Sequence, residues 1–348
     1  MAEREFDLDR YVSSNARDII GDVLKGSWQC RAESVFIARY MNSARKASKL
    51  RDELEARGES VSPFLIANVT ECCGLKCSDC NLRQGKRGQG ESKWGMMFDE
   101  ASACGVSVVL LSGGEPLARR ELIEEASKRK DVLFPIFTNG TLIDDQYLKL
   151  FDERRNLVPI LNIEGDESQA DSRRGAGVKE KTFEAMRLLG EKGIIFACSL
   201  AVSRDGVDAS SDRAYIARLK ELGCKAAVFF ERAPGLDQAS RIRLKNQAQK
   251  LRAEFSGMIL LIYPEDKRLL DSCVSEGRGL YCLSGRGEGR ACPYSPFADI
   301  SQWRACPMSW SKSRLLDRAA ELGMIAKEHE SCASAQGGGL VRRILGDG

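Results

Sequence analysis

From Phe64 onward, short apolar runs alternate with amphipathic stretches of helical length, and this alternation constrains the fold more than any other feature. The runs are FLIANVT after Pro63, VSVVLLS at 106–112, VLFPIFT at 132–138, LVPILNI at 157–163, IIFACSLAV at 194–202 and KAAVFFE at 225–231. Between them lie charged, periodic segments such as ARRELIEEASKRKD and VKEKTFEAMRLLGEKG. Strands separated by helical crossovers lie parallel in one sheet. Six such units predict an α/β fold, either an incomplete barrel or an open sheet, because periodicity alone does not separate the two. GMILLIYPED adds a candidate strand at the edge.

The flanks read differently. Residues 1 to about 60 read as helices; NSARKASKLRDELEARGE keeps helical spacing and ends at a glycine suited to a C-cap, and Pro63 stops the helix. After about residue 270, CVSEGRGLYCLSGRGEGRACPYSPFADISQWRACP is rich in glycine, cysteine and turn formers and has no sustained period. Such a segment buries too little apolar surface to fold without a staple. The expected domains are therefore a helical extension at 1–62, an α/β body at 63–266, a cysteine-rich region at 267–335 and a glycine-rich tail at 336–348.

Charge and length narrow the function classes. The chain has 348 residues, long for one domain, which fits a large domain with an appendage. Fifty-three Lys and Arg against 50 Asp and Glu leave a formal charge of +3, which argues against a dedicated nucleic-acid or membrane-surface binder. No apolar run reaches the ~18 residues of a membrane span, and the charged opening MAEREFDLDRY is no signal peptide, so a cytoplasmic protein is expected. Thirteen cysteines in a reducing compartment point to metal or redox chemistry before disulfides.

The cysteines concentrate in NVTECCGLKCSDCNLR, where Cys73, Cys77 and Cys80 are spaced C-x3-C-x2-C just after the first strand. Loops at that edge of a parallel sheet are where ligands gather. Three thiolates leave one corner of a four-iron cluster open to a substrate. Zinc is the alternative, although zinc sites usually add paired cysteines or histidines and this chain has one histidine, His329. Cys72 is the spare thiol; with it the spacing becomes C-x4-C-x2-C, the opening of a plant-type ferredoxin pattern.

With LLSGGEP after the second strand, the C-x3-C-x2-C loop resembles the radical S-adenosylmethionine (SAM) superfamily, over roughly residues 64–310. That resemblance implies a partial (β/α)6 TIM-like barrel and a 4Fe–4S cluster that binds SAM. In the family, the turn matching Gly113, Gly114, Glu115 and Pro116 meets the amino group of SAM, and Glu115 and nearby carbonyls can accept from an ammonium. NIEGDESQADSRRGAG resembles the family segment carrying H-D-x-x-R-G, with Ala170 where the family has histidine. By that match Arg174 pairs the methionine carboxylate, and Glu164 and Ser199 sit where ribose-hydroxyl acceptors are expected. FTNGTLID resembles the third strand and its loop, so Thr138 or Asn139 is expected to face the site. Asp79 departs from the family's aromatic before the last cysteine, which leaves the adenine contacts to Leu82 or the fifth and sixth strands.

The C-terminal cysteines resemble the SPASM or twitch extension: Cys273, Gly287 and Cys292 follow C-x13-G-x4-C, with Cys306 as third ligand. One auxiliary 4Fe–4S cluster is implied, its fourth position Cys282, Cys332 or open; a zinc on Cys273, Cys282, Cys292 and Cys306 is the alternative. Cys30, Cys104, Cys198 and Cys224 read as core thiols.

Together these imply a radical SAM enzyme of oxidoreductase or transferase type, fed by a reductant such as flavodoxin or ferredoxin, that oxidises or cross-links a peptide or protein. A small-molecule substrate is the second expectation, and a non-catalytic electron carrier or metal-stapled binding protein the third. Many peptide-modifying relatives carry a strand-plus-helix leader-binding module, whereas residues 1–60 here look only helical. No catalytic side chain is identified.

Overall fold

The computed structural model describes Tyr11, residues 14–15, 31–58, 63–78, Cys80, 91–232, 235–263, 280–284, 289–290, Arg318, Glu321 and Leu322. In chain order its regular elements are α1 (Arg31–Ala56), β1 (Phe64–Thr70), α2 (Glu91–Ala103), β2 (Val108–Gly113), α3 (Arg120–Ser127), β3 (Phe134–Thr138), α4 (Asp145–Glu153), β4 (Leu157–Glu164), α5 (Ala170–Arg174), α6 (Val178–Glu191), β5 (Ala197–Val202), α7 (Val207–Ser210), α8 (Arg213–Glu221), β6 (Ala226–Glu231), α9 (Gln238–Glu254), β7 (Ile259–Tyr263), β8 (Leu280–Ser284) and β9 (Gly289–Arg290). The chain divides into two compact units. One takes in Met1–Tyr40, Cys73–Arg83 and Pro135–Leu269, and the other Met41–Cys72, Gln84–Phe134 and Leu270–Gly348.

In the first unit β4, β5, β6 and β7 pair in parallel, each with its neighbour, and GMILLIYPED supplies β7 at the edge, as its apolar run predicts. The crossover helices start where the sequence offers a side-chain cap. Asp144, Asp212 and Asp237 accept from the N–H groups of Tyr147, Tyr215 and Ser240 at 2.8, 3.0 and 2.8 Å. Each satisfies a donor that the first helical turn leaves without an internal partner.

The two faces of this sheet differ. Leu161, Cys198, Leu200, Ala227, Phe229 and Leu260 are sealed, the face that packs under helices. The alternate residues, Asn162, Ala197, Ser199, Ala226, Val228 and Phe230, are only half-buried. Phe137 on β3 and Phe230 on β6 lie edge to face at 6.2 Å, although β4 and β5 separate their strands. Neighbouring strands are ~4.8 Å apart, so rings three strands apart meet only if the sheet curls toward that face. The half-buried face is thus concave, and Phe230 stacks tilted on Tyr263 at 5.4 Å to extend its aromatic lining.

The free edge of β7 is covered. Tyr11 accepts from the Leu260 N–H at 2.9 Å and donates to the Met258 carbonyl at 3.2 Å, and Asn15 accepts from the Gly257 N–H at 3.0 Å. An uncovered edge of this kind would offer unpaired backbone to another chain.

In the second unit β1 pairs in parallel with β2 on one side and with β8 on the other, and β9 is antiparallel to β8. The sequence gives β8 no periodic signal; LYCLS is placed by its pairing from Phe64 to Asn68. Trp94, Met97 and Phe98 of α2 are fully buried, with Phe98 edge to face on Phe134 at 5.3 Å. Helix α1 ends near Gly58, whose φ of +80° is the left-handed conformation expected of a C-cap glycine. Among the described residues, no helix is long and apolar enough to cross a membrane.

Candidate active site

Chain geometry after β1 and β2 explains why the Gly-Gly-Glu-Pro turn needs its glycines. The Gly114 N–H donates to the Thr70 carbonyl at 2.7 Å, and the Glu115 N–H donates to the Cys72 carbonyl at 2.8 Å. A β-carbon on Gly113 would collide with the Thr70 carbonyl oxygen, and one on Gly114 with that of Cys72. Gly113 also has a φ of +128°, which L side chains rarely adopt. Two backbones can approach this closely only without side chains, so the turn is clamped to the residues that lead into the cysteine loop.

Glu115 is sealed from solvent, and its carboxylate accepts from the Leu117 N–H at 3.0 Å, capping the short turn of 3-10 helix at Pro116–Ala118. Arg119, equally buried, donates to the Val69 carbonyl at 2.6 Å and ties the same turn to the end of β1. Nothing in ARRELIEE distinguishes the buried Arg119 from the half-buried Arg120 beside it, so no sequence pattern singles it out.

In the first unit, Cys73, Cys77 and Cys80 are half-buried on a loop without regular structure, whereas Cys72, one residue earlier in the chain, is exposed. The Cys80 N–H reaches the Cys77 carbonyl at 3.4 Å, so the last two thiols leave a single turn. The Ser78 N–H donates to the Arg173 carbonyl at 3.1 Å, which fixes this turn against α5. Among the described residues, no three His, Cys, Asp or Glu side chains converge on one metal ion. Cysteine thiols are the donors that iron–sulfur clusters use, and these three are half-buried on one short loop. The residues present fit the group.

Asn139 follows β3, and its Nδ2 lies 3.9 Å from Cys73 Sγ. Ser199 on β5 pairs in register with Asn162 on β4, and both belong to the concave face. Glu164 and Arg174 are brought together. Glu164, 3 % exposed, accepts from Arg174 Nε at 2.7 Å and from Arg173, with Arg232 at 3.7 Å from its other oxygen. The backbone carbonyl of Glu164 is held by the Tyr215 hydroxyl at 2.9 Å. Three guanidiniums around one carboxylate leave a net positive charge at the end of β4, a place suited to a second carboxylate. Arg173 and Arg232 are members that the sequence motif does not single out. Arg232 comes from the end of β6, so only the folded sheet brings it there. Asp79, Leu82, Cys273, Cys292, Cys306 and Cys332 lie outside the described residues, and of Cys282 only its strand, β8, is described.

The radical SAM superfamily pattern matches residues 67–211, which hold the cysteine loop, the Gly-Gly-Glu-Pro turn, Asn139, Glu164 and Arg174. These residues form a radical SAM domain. Around the radical SAM domain, the chain is 32 % identical over 168 residues to the PqqA peptide cyclase of Gluconobacter oxydans, covering 46 % of each chain. It is 28 % identical over 171 residues to the Fe-coproporphyrin III synthase of Methanosarcina barkeri, covering 47 % of this chain and 43 % of that one. The chain thus spans less than half the length of these curated relatives. Among solved structures, SuiB of Streptococcus suis bound to precursor peptide SuiA superposes with a TM-score of 0.60 at 15 % identity, covering 76 % of this chain and 70 % of SuiB. At that identity the likeness establishes the fold: an α/β architecture as the alternating runs predict, and of the partial-barrel kind that the family resemblance implies.

Proposed function

We propose that this radical SAM enzyme holds a 4Fe–4S cluster on Cys73, Cys77 and Cys80, cleaves SAM reductively, and oxidises or cross-links a peptide or protein substrate. The observation that carries the reading is the backbone clamp by which Gly114 and Glu115 hold Thr70 and Cys72, the residues immediately before the three half-buried thiols, an approach that Gly113 and Gly114 alone allow. When bound, such a cluster supplies the electron that splits the sulfonium of SAM into methionine and a 5′-deoxyadenosyl radical.

The chain's own residues provide recognition and shelter. Carbonyls exposed at the Gly113–Pro116 turn accept from the SAM ammonium, while the Glu115 carboxylate keeps the turn in shape from within. Arg174 turns part of its fork to the methionine carboxylate, and Arg173 and Arg232 keep Glu164 neutralised as it does so. Glu164 and Ser199 take the ribose hydroxyls. Phe137, Phe230 and Tyr263 line the concave face with apolar surface that excludes water, which would otherwise quench a carbon radical. Cys273, Cys292 and Cys306, with Cys282 or Cys332 or an open position, hold one auxiliary 4Fe–4S cluster.

The peptide substrate is supported by the resemblance to the PqqA peptide cyclase and by the precursor peptide in the SuiB structure. Similarity to Fe-coproporphyrin III synthase favours a small-molecule substrate as the second reading. Anaerobic reconstitution tests the cofactor assignment: about eight irons per chain are expected, and SAM should perturb the electron paramagnetic resonance (EPR) spectrum of one reduced cluster. Zinc in place of iron, or a spectrum indifferent to SAM, would refute it.

A further inference from the structure

We infer that Asn139 is a positioning residue for the Cys73 thiolate and, by donating its amide N–H to that sulfur, raises the reduction potential of the cluster. This rests on the proposed role of Cys73, Cys77 and Cys80. The contact itself is Asn139 Nδ2 to Cys73 Sγ at 3.9 Å, between residues 66 apart in sequence. The rest of the side chain and its turn are held so that the nitrogen, not the oxygen, faces the thiol. Asn139 Oδ1 accepts from the Thr141 N–H at 2.9 Å and from Thr141 Oγ1 at 2.7 Å, two donors that identify the oxygen end of the amide.

The backbone is fixed as well. Thr182 Oγ1 donates to the Asn139 carbonyl at 2.8 Å, and the Gly140 N–H donates to Thr138 Oγ1 at 3.0 Å. Gly140 has a φ of +79°, and a β-carbon there would press on Leu161, so this position allows little else. Asn139 is 6 % exposed, away from competing water.

A neutral thiol is a weak acceptor, and 3.9 Å is a long contact. A ligating thiolate carries charge and draws the same donor into a charge-assisted bond. Hydrogen bonds to cluster sulfurs favour the more electron-rich, reduced state and so raise its potential. For a radical SAM enzyme this matters because the electron must reach a cluster of low potential from a biological donor.

The test is a potentiometric titration of the reconstituted chain without SAM, following the EPR signal that SAM later perturbs, with iron counted in each sample. Asn139→Asp keeps an acceptor for Thr141 but loses the donor and adds negative charge; Asn139→Ala removes both ends of the amide. Each is expected to make reduction about tenfold less favourable, ~59 mV for one electron, with Asp the larger effect. Full iron content with an unchanged midpoint in both variants would overturn the inference. If neither variant holds iron, Thr141→Val decides, since it frees the amide from one lock but leaves the nitrogen; a smaller shift of the same sign supports the role and no shift overturns it. A wild-type chain that takes up no iron would instead refute the cysteine assignment, and the inference with it.

Discussion

Glu164 Oε1 and Arg174 Nε lie 2.7 Å apart at the end of β4, with Arg173 on the same oxygen and Arg232 facing the other. The family resemblance assigns Glu164 and Arg174 to two different parts of SAM, yet in the fold they are also hydrogen-bonded to one another. Removing the carboxylate leaves three guanidiniums facing each other. Glu164→Gln is expected to cost about 2 kcal/mol, read as a lower urea midpoint, because the paired charge is buried while its partners are partly solvated. Arg232→Ala, which leaves two arginines on Glu164, should cost less than half as much. Equal losses would mean that the knot is not organised around Glu164.

Gly114→Ala drives a methyl into the Cys72 carbonyl and is expected to destabilise the chain by about 3 kcal/mol. Gly74 is the control: it has nothing within 4 Å of an added β-carbon and no positive φ. Gly74→Ala should melt within a degree or two of wild type. Similar melting points for the two variants would contradict the clamp.

Cys72→Ser should leave the iron content of the reconstituted chain unchanged, since that side chain is exposed and the Cys72 carbonyl that accepts from Glu115 is kept. Cys73→Ala, Cys77→Ala and Cys80→Ala should each lose about four irons. Loss of iron in Cys72→Ser with retention in Cys73→Ala would move the ligand to the spare thiol.

Cys198 and Cys224 touch at 3.5 Å in the sealed layer beneath β5 and β6. Burial first, and the neighbouring Cys224 second, push Cys198 well above the ordinary thiol range. The folded chain therefore keeps a proton that the unfolded chain releases above about pH 8.5. Its contribution to stability is complete below that pH and declines as pH rises beyond it. Cys198→Ala should flatten the fall in urea midpoint between pH 8 and 10, and in the native wild type this thiol should resist alkylation at pH 8. An unchanged slope, or rapid alkylation without unfolding, would contradict this.

Strand positions were legible because a buried parallel strand is an apolar run whatever its neighbours are. FLIANVT is β1 residue for residue, and LVPILNI lacks only Glu164 of β4. The seventh strand was legible for the same reason. Strand β8 was not, since LYCLS owes its place to the edge of β1 rather than to its own pattern. Helix α3 is shorter than its charged segment suggests, eight residues from Arg120 to Ser127. The site divides the same way. The cysteine spacing and the paired glycines are local and visible in the sequence. Arg232 on Glu164 and Asn139 on Cys73 join residues 68 and 66 positions apart, and no local pattern encodes these contacts.

Use of SAM as a radical source is measured most directly by 5′-deoxyadenosine release. Anaerobically reconstituted protein would be given SAM and dithionite, with the nucleoside quantified against time for wild type and Cys77→Ala. Release is expected from wild type, and none above background from Cys77→Ala at equal protein. An iron-loaded wild type that releases no nucleoside, or equal release from the variant, would contradict it.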